Sequence, residues 1–217
     1  KESGRKAKAR KTASKTGRSS VAPAKKIPTP DEWGVRVVKD MPLELVFDCL
    51  YKNERFRLSW GAKNTQGEKW EKLEQDFEAR HAKMENDALQ SGWLQPQGIY
   101  GYWPAQAQGE ELIVYAPESV GNGKPAEKLR FSFPRQVSGE LLCLSDYFAT
   151  VDSGVMDTVA LQVVTVGQQA TEYVDKLQDA EDYSEAYFAH GLAVQTAEAA
   201  AEYLHRHIRR QLGLAEG

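Results

Sequence analysis

The sequence predicts an α+β fold, a mainly antiparallel sheet with helices packed against it. Strand-like runs cluster in the middle of the chain, and runs with helical spacing lie on both sides of them. Two strand-like runs, residues 98–103 and 111–115, are joined by the short run AQAQG, which is typical of a β-hairpin. Because such a short connection joins antiparallel neighbours, this order favours α+β over regular βαβ winding.

Four further strands follow from local composition. Residues 35–38 form a short β-branched run, and residues 55–60 alternate between polar and apolar side chains. A strand over residues 129–133 ends at Pro134, since proline lacks the N–H that would continue the ladder. Residues 159–166 are nearly all apolar and are predicted to form a central strand.

Helices are predicted on both sides of these strands. The first begins at Pro42, which suits a first helical turn, and runs through Tyr51. A long second helix begins after Gly67 and ends before Pro96, and a third covers residues 169–179.

The last helix is predicted over residues 184–211, with one apolar stripe along its length. The stripe consists of Tyr187, Val194, Ala197, Ala201, Leu204 and Ile208. Gly213 lies just past its end, where glycine commonly caps a helix.

Charge divides the chain at about residue 26. Residues 1–26 contain ten Lys and Arg and one acid, so this tail carries about +9, and the remaining chain carries about −12. The tail has almost nothing to bury and is predicted to be a disordered linker, with a functional basic arm that binds RNA or DNA as the alternative. The acidic remainder, residues 27–217, is the predicted domain, and its charge disfavours nucleic acid as a partner.

The two cysteines, Cys49 and Cys143, lie in apolar surroundings and match no metal or redox spacing. No apolar run approaches the roughly 20 residues that a membrane span needs, and no apolar stretch follows the basic N-terminus as in a signal peptide. Free thiols in a cytoplasmic protein without a membrane partner are therefore expected.

The polar residues of the last helix are candidates for a site. Glu198, Glu202 and Arg206 follow at four-residue steps and share one helix face, and His205 lies three residues after Glu202. From the residues alone, this face is either a solvated row of ion pairs or part of a ligand site. A di-metal carboxylate site needs paired Glu-x-x-His motifs, and the last helix contains one, so no metal is predicted.

Five unusual runs of sequence carry a resemblance. They are FRLSWGAK at 56–63, GIYGYWP at 98–104, FSFPRQ at 131–136, LCLSDYFA at 142–149 and GLAVQTAEAAAEYLHRHIRR at 191–210. In their order, spacing and residue identities, these runs resemble the activation domain at the C-terminal end of cobalamin-dependent methionine synthase. The resemblance covers Ile27 to Leu214.

This resemblance implies a single domain with a twisted antiparallel sheet. It implies a module that binds S-adenosylmethionine and positions its methyl group for reductive methylation of oxidised cobalamin. Such a task is one of positioning, and no general base is needed for it. The cobalamin would be held by a separate module, so the implied partners are that module and an electron-donor protein such as a flavodoxin-like reductase. The chain would be part of a methyltransferase without containing the catalytic modules.

The resemblance also implies site residues. Glu198 falls where the family has a carboxylate near the ligand, whose sulfonium and ammonium groups are cationic, and Glu202 shares its helix face. The family typically has an aspartate eight residues before Trp60, and here that position is Lys52, which cannot accept a hydrogen bond from an ammonium. Either its neighbour Asn53 accepts this hydrogen bond, or the contact is absent.

Three other positions bear on the resemblance. Asp48 is a further possible partner of the amino group. Arg135, expected to point outward after its strand, matches the family's pattern with Gln136 and would contact the corrin amides or the cobalamin module. The runs YGYWP and SDYFA are predicted to lie mainly in the core.

The chain departs from the family's pattern at its end. The family's most specific segment, an arginine followed shortly by Gly-Tyr-Pro-Ala-Cys-Pro, comes after the last helix, and this sequence stops at Gly217 before it. A fragment, or a member lacking part of its pocket, is therefore expected.

Two other functions are consistent with the sequence. The chain could be a non-catalytic protein-interaction domain with a basic N-terminal arm, which titration with S-adenosylmethionine would distinguish. An independent methyltransferase would need a glycine-rich loop after its first strand, and GVRVV followed by KDMP supplies none.

The composition of the tail leads to a proteolysis prediction. Trypsin is expected to remove residues 1–26 early and to leave a resistant core, because the tail is rich in Lys and Arg and has little to bury. Mass spectrometry of timed digests would show it. Survival of the bond after Lys6 for as long as bonds of the core would contradict this.

Overall fold

A computed structural model of the chain describes residues 19–22, 24–50, 56, 60–62, 64–121 and 123–214. The chain divides into two compact units. The first consists of residues 1–29 and 103–159, and the second consists of residues 30–102 and 160–217. The predicted boundary between tail and domain at residue 26 stays a prediction.

Helices and an antiparallel sheet make up the described part of the chain, which confirms the predicted α+β class. The strands are β1 (Gly34–Val38), β2 (Gln97–Gln108), β3 (Glu111–Tyr115), β4 (Glu127–Ser132) and β5 (Asp157–Thr165). The helices are α1 (Leu43–Phe47), α2 (Glu68–Ser91), α3 (Gln168–Asp179) and α4 (Tyr183–Gln211). Short 3₁₀ turns lie at Pro117–Ser119, Leu144–Tyr147 and Val151–Ser153.

The strand at the centre of the sheet is β2. It pairs antiparallel with β1 and with β3, β3 pairs antiparallel with β4, and β5 also pairs with β2. The prediction that residues 159–166 form the central strand is therefore wrong in its placement. The apolar run does form β5, but it pairs with β2 alone among the named strands, and Val163 is 65% exposed. The prediction failed because an apolar composition does not determine how many strands flank a segment.

In the second unit, α4 packs its small residues into the core. Ala189, Ala199 and Ala200 are buried, with Leu204 and Ile208 further along the helix. Tyr187 and Val194 of the predicted stripe are 51% and 42% exposed, so the stripe is wrong in its N-terminal half. A prediction based on large apolar residues does not identify the buried face of α4, because that face is formed largely by alanines, which let the helix approach its neighbours closely.

The other helices agree with the sequence in place and differ at their ends. The helix α2 ends at Ser91 and is capped by Gly92, whose φ of 69° is left-handed. The first helix ends at Phe47, before the predicted Tyr51, because the N–H groups of Cys49 and Leu50 bond three residues back in a tight turn. Most of the predicted strand at residues 55–60 lies outside the described residues, but Phe56 is helical and not extended.

In the first unit, the second half of β2 forms a meander with β3 and β4. The hairpin between β2 and β3 turns at Gly109 and Glu110, and Gly109 has a φ of 62°. Residues 105–108 of the predicted connection AQAQG belong to the strand, paired with residues 111–114. A two-residue turn needs positive φ, which glycine adopts without strain.

A buried ion pair organises the chain after β4. Asp146 is 1% exposed, and its carboxylate accepts hydrogen bonds from Arg135 Nη1 at 2.6 Å and Nη2 at 3.0 Å. It also accepts from the backbone N–H of Cys143 at 3.1 Å and of Ser19 at 3.3 Å. The guanidinium beside it is the main reason that the pKa of Asp146 lies far below its usual range.

The second unit generates a packing prediction at Gly98. A methyl group there would lie 2.9 Å from Met41 Cε, 3.0 Å from the Val163 carbonyl and 3.1 Å from Leu204 Cδ2. Gly98→Ala should therefore lower the free energy of unfolding by about 1–3 kcal/mol, measured by urea denaturation. Gly109→Asn is the control, since no heavy atom lies within 4 Å of a Cβ there and asparagine tolerates positive φ. Equal stability of Gly98→Ala and wild type would show that the contact is not close.

The first unit generates a pH prediction at Asp146. Because its folded pKa is lowered, its contribution to stability is complete above the unfolded value of about 3.9 and is lost as the pH falls below it. Asp146→Asn should therefore be less stable than wild type at pH 7, and urea titrations should show a smaller gap at pH 3, because part of the contribution is lost once the pH falls below the unfolded pKa. Asp152→Asn, at an exposed position, is the control and should keep the wild-type difference between the two pH values. A constant gap between Asp146→Asn and wild type would contradict this.

Candidate functional site

The predicted carboxylates of α4 line a groove of about 360 Å³ in the second unit. Strand β5 contributes Gln162, and the turn after α1 contributes Cys49 and Leu50. The helix α4 contributes Gln195, Glu198, Ala199, Ala201, Glu202 and His205. Positions 195, 198, 202 and 205 are spaced by three or four residues, so one face of α4 brings their side chains together.

Glu202 is paired with basic side chains of its own helix. Its Oε1 accepts a hydrogen bond from Arg206 Nε at 2.8 Å, and its Oε2 lies 3.6 Å from His205 Nδ1. The hydrogen bond from Arg206 is the main cause that lowers the pKa of Glu202, and His205 adds to it. The charge of Glu202 is therefore largely balanced within the protein.

Glu198 carries a carboxylate that no basic side chain among the described residues balances in this way. Its Oε2 accepts a hydrogen bond from Gln195 Nε2 at 3.2 Å, which is a neutral donor. Gln195 is 8% exposed, so the amide is held in place and orients the carboxylate. Among the described side chains, no Lys, Arg or His forms an ion pair with Glu198, and the residue is exposed. This carboxylate is available to a cation in the groove.

Gln162 presents an oxygen that has no partner among the described residues. Its Nε2 donates to the Ala201 carbonyl of α4 at 3.0 Å. Because that carbonyl can only accept, the amide orientation is fixed and Oε1 is the other terminal atom. Oε1 is buried, and no donor among the described residues reaches it. A buried acceptor in this state costs about 1–3 kcal/mol unless a donor reaches it.

Cys49 is one of the residues that line the groove. Cys49 is 5% exposed, and its Sγ lies 3.6 Å from the Leu45 carbonyl. Burial raises the pKa of this thiol, which keeps it protonated. Both Cys49 and Cys143 are free, as the sequence predicts.

The other predicted site residues lie elsewhere or cannot be placed. Lys52 and Asn53 lie outside the described residues. Asp48 ends α1 at an exposed position and is not among the residues that line the groove.

Arg135 belongs to the first unit, and the expectation that it points outward is wrong. Its side chain is 11% exposed, because the guanidinium bonds to Asp146, Glu110 and the Leu141 carbonyl. A role for Arg135 at a corrin stays a prediction.

Tyrosines of the run YGYWP lie in the core of the second unit, as predicted. The hydroxyls of Tyr100 and Tyr102 both donate to Gln211 Oε1, at 2.8 Å and 3.0 Å. The Arg36 guanidinium lies over the two rings, 5.0 Å from the centre of the Tyr102 ring. Burial is the main cause that lowers the pKa of His207, whose Nε2 lies 3.3 Å from the Tyr100 hydroxyl. This cluster ties the end of α4 to β2.

Gln162 and Gln195 are not among the site residues predicted from the sequence. A signal for the first exists, because Gln162 is a lone amide in the otherwise apolar run VALQVV. Gln195 gives no comparable signal, since a polar residue on a helix is ordinary.

No helix among the described residues is long and apolar enough to cross a membrane.

Comparison with known proteins adds sequence relatives. Residues 52–216 match the family described as "Vitamin B12 dependent methionine synthase, activation domain". Methionine synthase of Mycobacterium tuberculosis (strain ATCC 25618 / H37Rv) is 30% identical over an alignment of 206 residues, and the match covers 90% of this chain. Methionine synthase of Mycobacterium leprae (strain TN) is 29% identical over an alignment of 195 residues, and that match covers 86% of the chain. The matches span 17% and 16% of the lengths of these relatives.

A solved structure shares the fold. The crystal structure of the MetH reactivation domain bound to AdoHcy superposes with a TM-score of 0.68 at 23% sequence identity. The superposition covers 88% of this chain and 58% of the other. At this identity the likeness describes the fold, whereas the family match over residues 52–216 extends through most of the sequence and includes both groove carboxylates. The chain therefore belongs to the activation-domain family of vitamin B12-dependent methionine synthase.

Proposed function

We propose that this chain is the S-adenosylmethionine-binding reactivation module of a cobalamin-dependent methionine synthase. The observation that carries the proposal is the carboxylate of Glu198, which lines a groove without a cationic partner among the described residues. A ligand with a sulfonium and an ammonium group supplies the missing positive charge. The structural neighbour, a MetH reactivation domain, is bound to AdoHcy, the demethylated form of that ligand.

The residues of the groove divide the work of holding such a ligand. Glu198 supplies the negative charge, and Gln195 holds that carboxylate in one orientation. Glu202 is paired with Arg206 and therefore shapes the groove more than it attracts a cation. Leu50 and Ala199 supply apolar surface beside these polar groups. A volume of about 360 Å³ lies within the range of small-molecule sites.

The module's contribution to the reaction is positioning. A methyl transfer from a sulfonium breaks one carbon–sulfur bond and leaves a neutral thioether, so no protein group has to move a proton. The protein has to hold the methyl group in line with its acceptor, which lowers the entropic part of the barrier. Cobalamin, held by a separate module, would be the methyl acceptor. An electron-donor protein such as a flavodoxin-like reductase would supply the one electron that reduces the oxidised cobalamin before it accepts the methyl group.

The two carboxylates allow a matched test of the proposal. Glu198→Gln removes an unbalanced charge and should weaken S-adenosylmethionine binding by about tenfold or more, since a charged hydrogen bond contributes about 1.5–3 kcal/mol. Glu202→Gln removes a charge that Arg206 already balances and should weaken binding less. Calorimetric titration of the protein at its full natural length measures both.

Stability provides the control for this pair. Glu198→Gln keeps the size and helix propensity of an exposed position and should change the free energy of unfolding by less than about 0.5 kcal/mol. Equal affinity of wild type and Glu198→Gln would mean that this helix face is only a solvated row of charges. Absence of S-adenosylmethionine binding by wild type would favour a protein-interaction domain instead.

A further inference from the structure

The strongest unassigned feature of the groove is the buried oxygen of Gln162. The amide lies on β5, in a run whose other members are apolar, and its position is fixed by the bond from Nε2 to the Ala201 carbonyl. Strands seldom place a lone amide against a helix unless both of its polar ends are used, because each unpaired end carries a desolvation cost. One end is used here, and Oε1 has no donor among the described residues.

The ligand class of the proposed function supplies the missing donor. We propose that Gln162 Oε1 accepts a hydrogen bond from the primary ammonium of the α-amino acid part of the ligand. This inference rests on the proposed function, and it assigns a recognition residue to the same groove. The ammonium carries three N–H donors, so Glu198 and Gln162 can each accept one of them.

Access to the oxygen requires a small movement that the side chain permits. Oε1 is buried behind the surface of the groove, whereas the residue lines it. The last torsion of a glutamine is broad and soft, so the amide can turn by the small amount over which Nε2 still reaches the Ala201 carbonyl, and this turn moves Oε1 toward the groove. The groove itself has room for a ligand, at about 360 Å³.

The test uses two ligands and two variants of Gln162 in the protein at its full natural length. The ligands are S-adenosylmethionine and its analogue without the α-amino group, and calorimetry gives their dissociation constants. Gln162→Met keeps the length of the side chain and removes both polar ends. It should weaken S-adenosylmethionine binding by about tenfold and leave the affinity for the deaminated analogue unchanged.

A second variant separates the oxygen from the bond to Ala201. Gln162→Glu keeps an acceptor oxygen and loses the Nε2 donor, so it should bind S-adenosylmethionine within about threefold of wild type or more tightly. Gln90→Met is the matched control, because Gln90 is an exposed amide of α2 that bonds to Asn86 and lies away from the groove lining. It should bind both ligands as wild type does.

The remaining outcomes contradict either the inference or the proposed function. Equal losses for both ligands in Gln162→Met, or an equal loss in Gln162→Glu, would show that the amide acts by holding α4 through Ala201, and the inference would be wrong. No loss in Gln162→Met would also contradict it. If wild type bound the deaminated analogue as tightly as S-adenosylmethionine, the ammonium would not be recognised at all. If wild type bound neither, the proposed function would fall, and the inference with it.

Discussion

The close approach of α4 to the sheet at Gly98 is the constraint on which the second unit depends. The space at Gly98 is filled by Met41, Leu204 and the Val163 backbone, so nothing larger than a hydrogen fits there. Alanines on the buried face of α4 permit the same closeness further along the helix. Since one face of α4 is fixed against the core in this way, the face that bears Glu198 and Glu202 is fixed toward the groove. The orientation of the groove face is thus a consequence of small residues that carry no chemistry themselves.

Two neighbouring carboxylates on one helix have different electrostatic roles because of their neighbours. Glu202 has Arg206 one turn further on, and this cation balances its charge. Glu198 has Gln195 one turn before it, which orients the carboxylate without neutralising it. A neutral donor therefore leaves the charge of a carboxylate available to a ligand, whereas a cationic donor balances it.

Much of the fold was predictable because its signals are local. The helix α2 begins and ends at glycines that the sequence shows, and the strand predicted at residues 111–115 forms β3. The centre of the sheet was not predictable, because β5 is the more apolar run while β2 has the larger number of neighbours. The pairing of Arg135 with Asp146 joins residues from separate segments, and no sequence period reports such a contact. Of the site, Glu198 came from the family resemblance, whereas Gln162 required the position of β5 beside α4.

The single unbalanced charge of Glu198 has a consequence for how a ligand would arrive. At physiological ionic strength the screening length is about 8 Å, so one carboxylate acts on a cation only at short range. The long-range field comes instead from the whole acidic body, which carries about −12 outside the basic tail. Salt should therefore slow the encounter of a cationic ligand with the body, while the lifetime of the bound state depends on the contacts inside the groove. Association and dissociation are thereby governed by different parts of the same molecule.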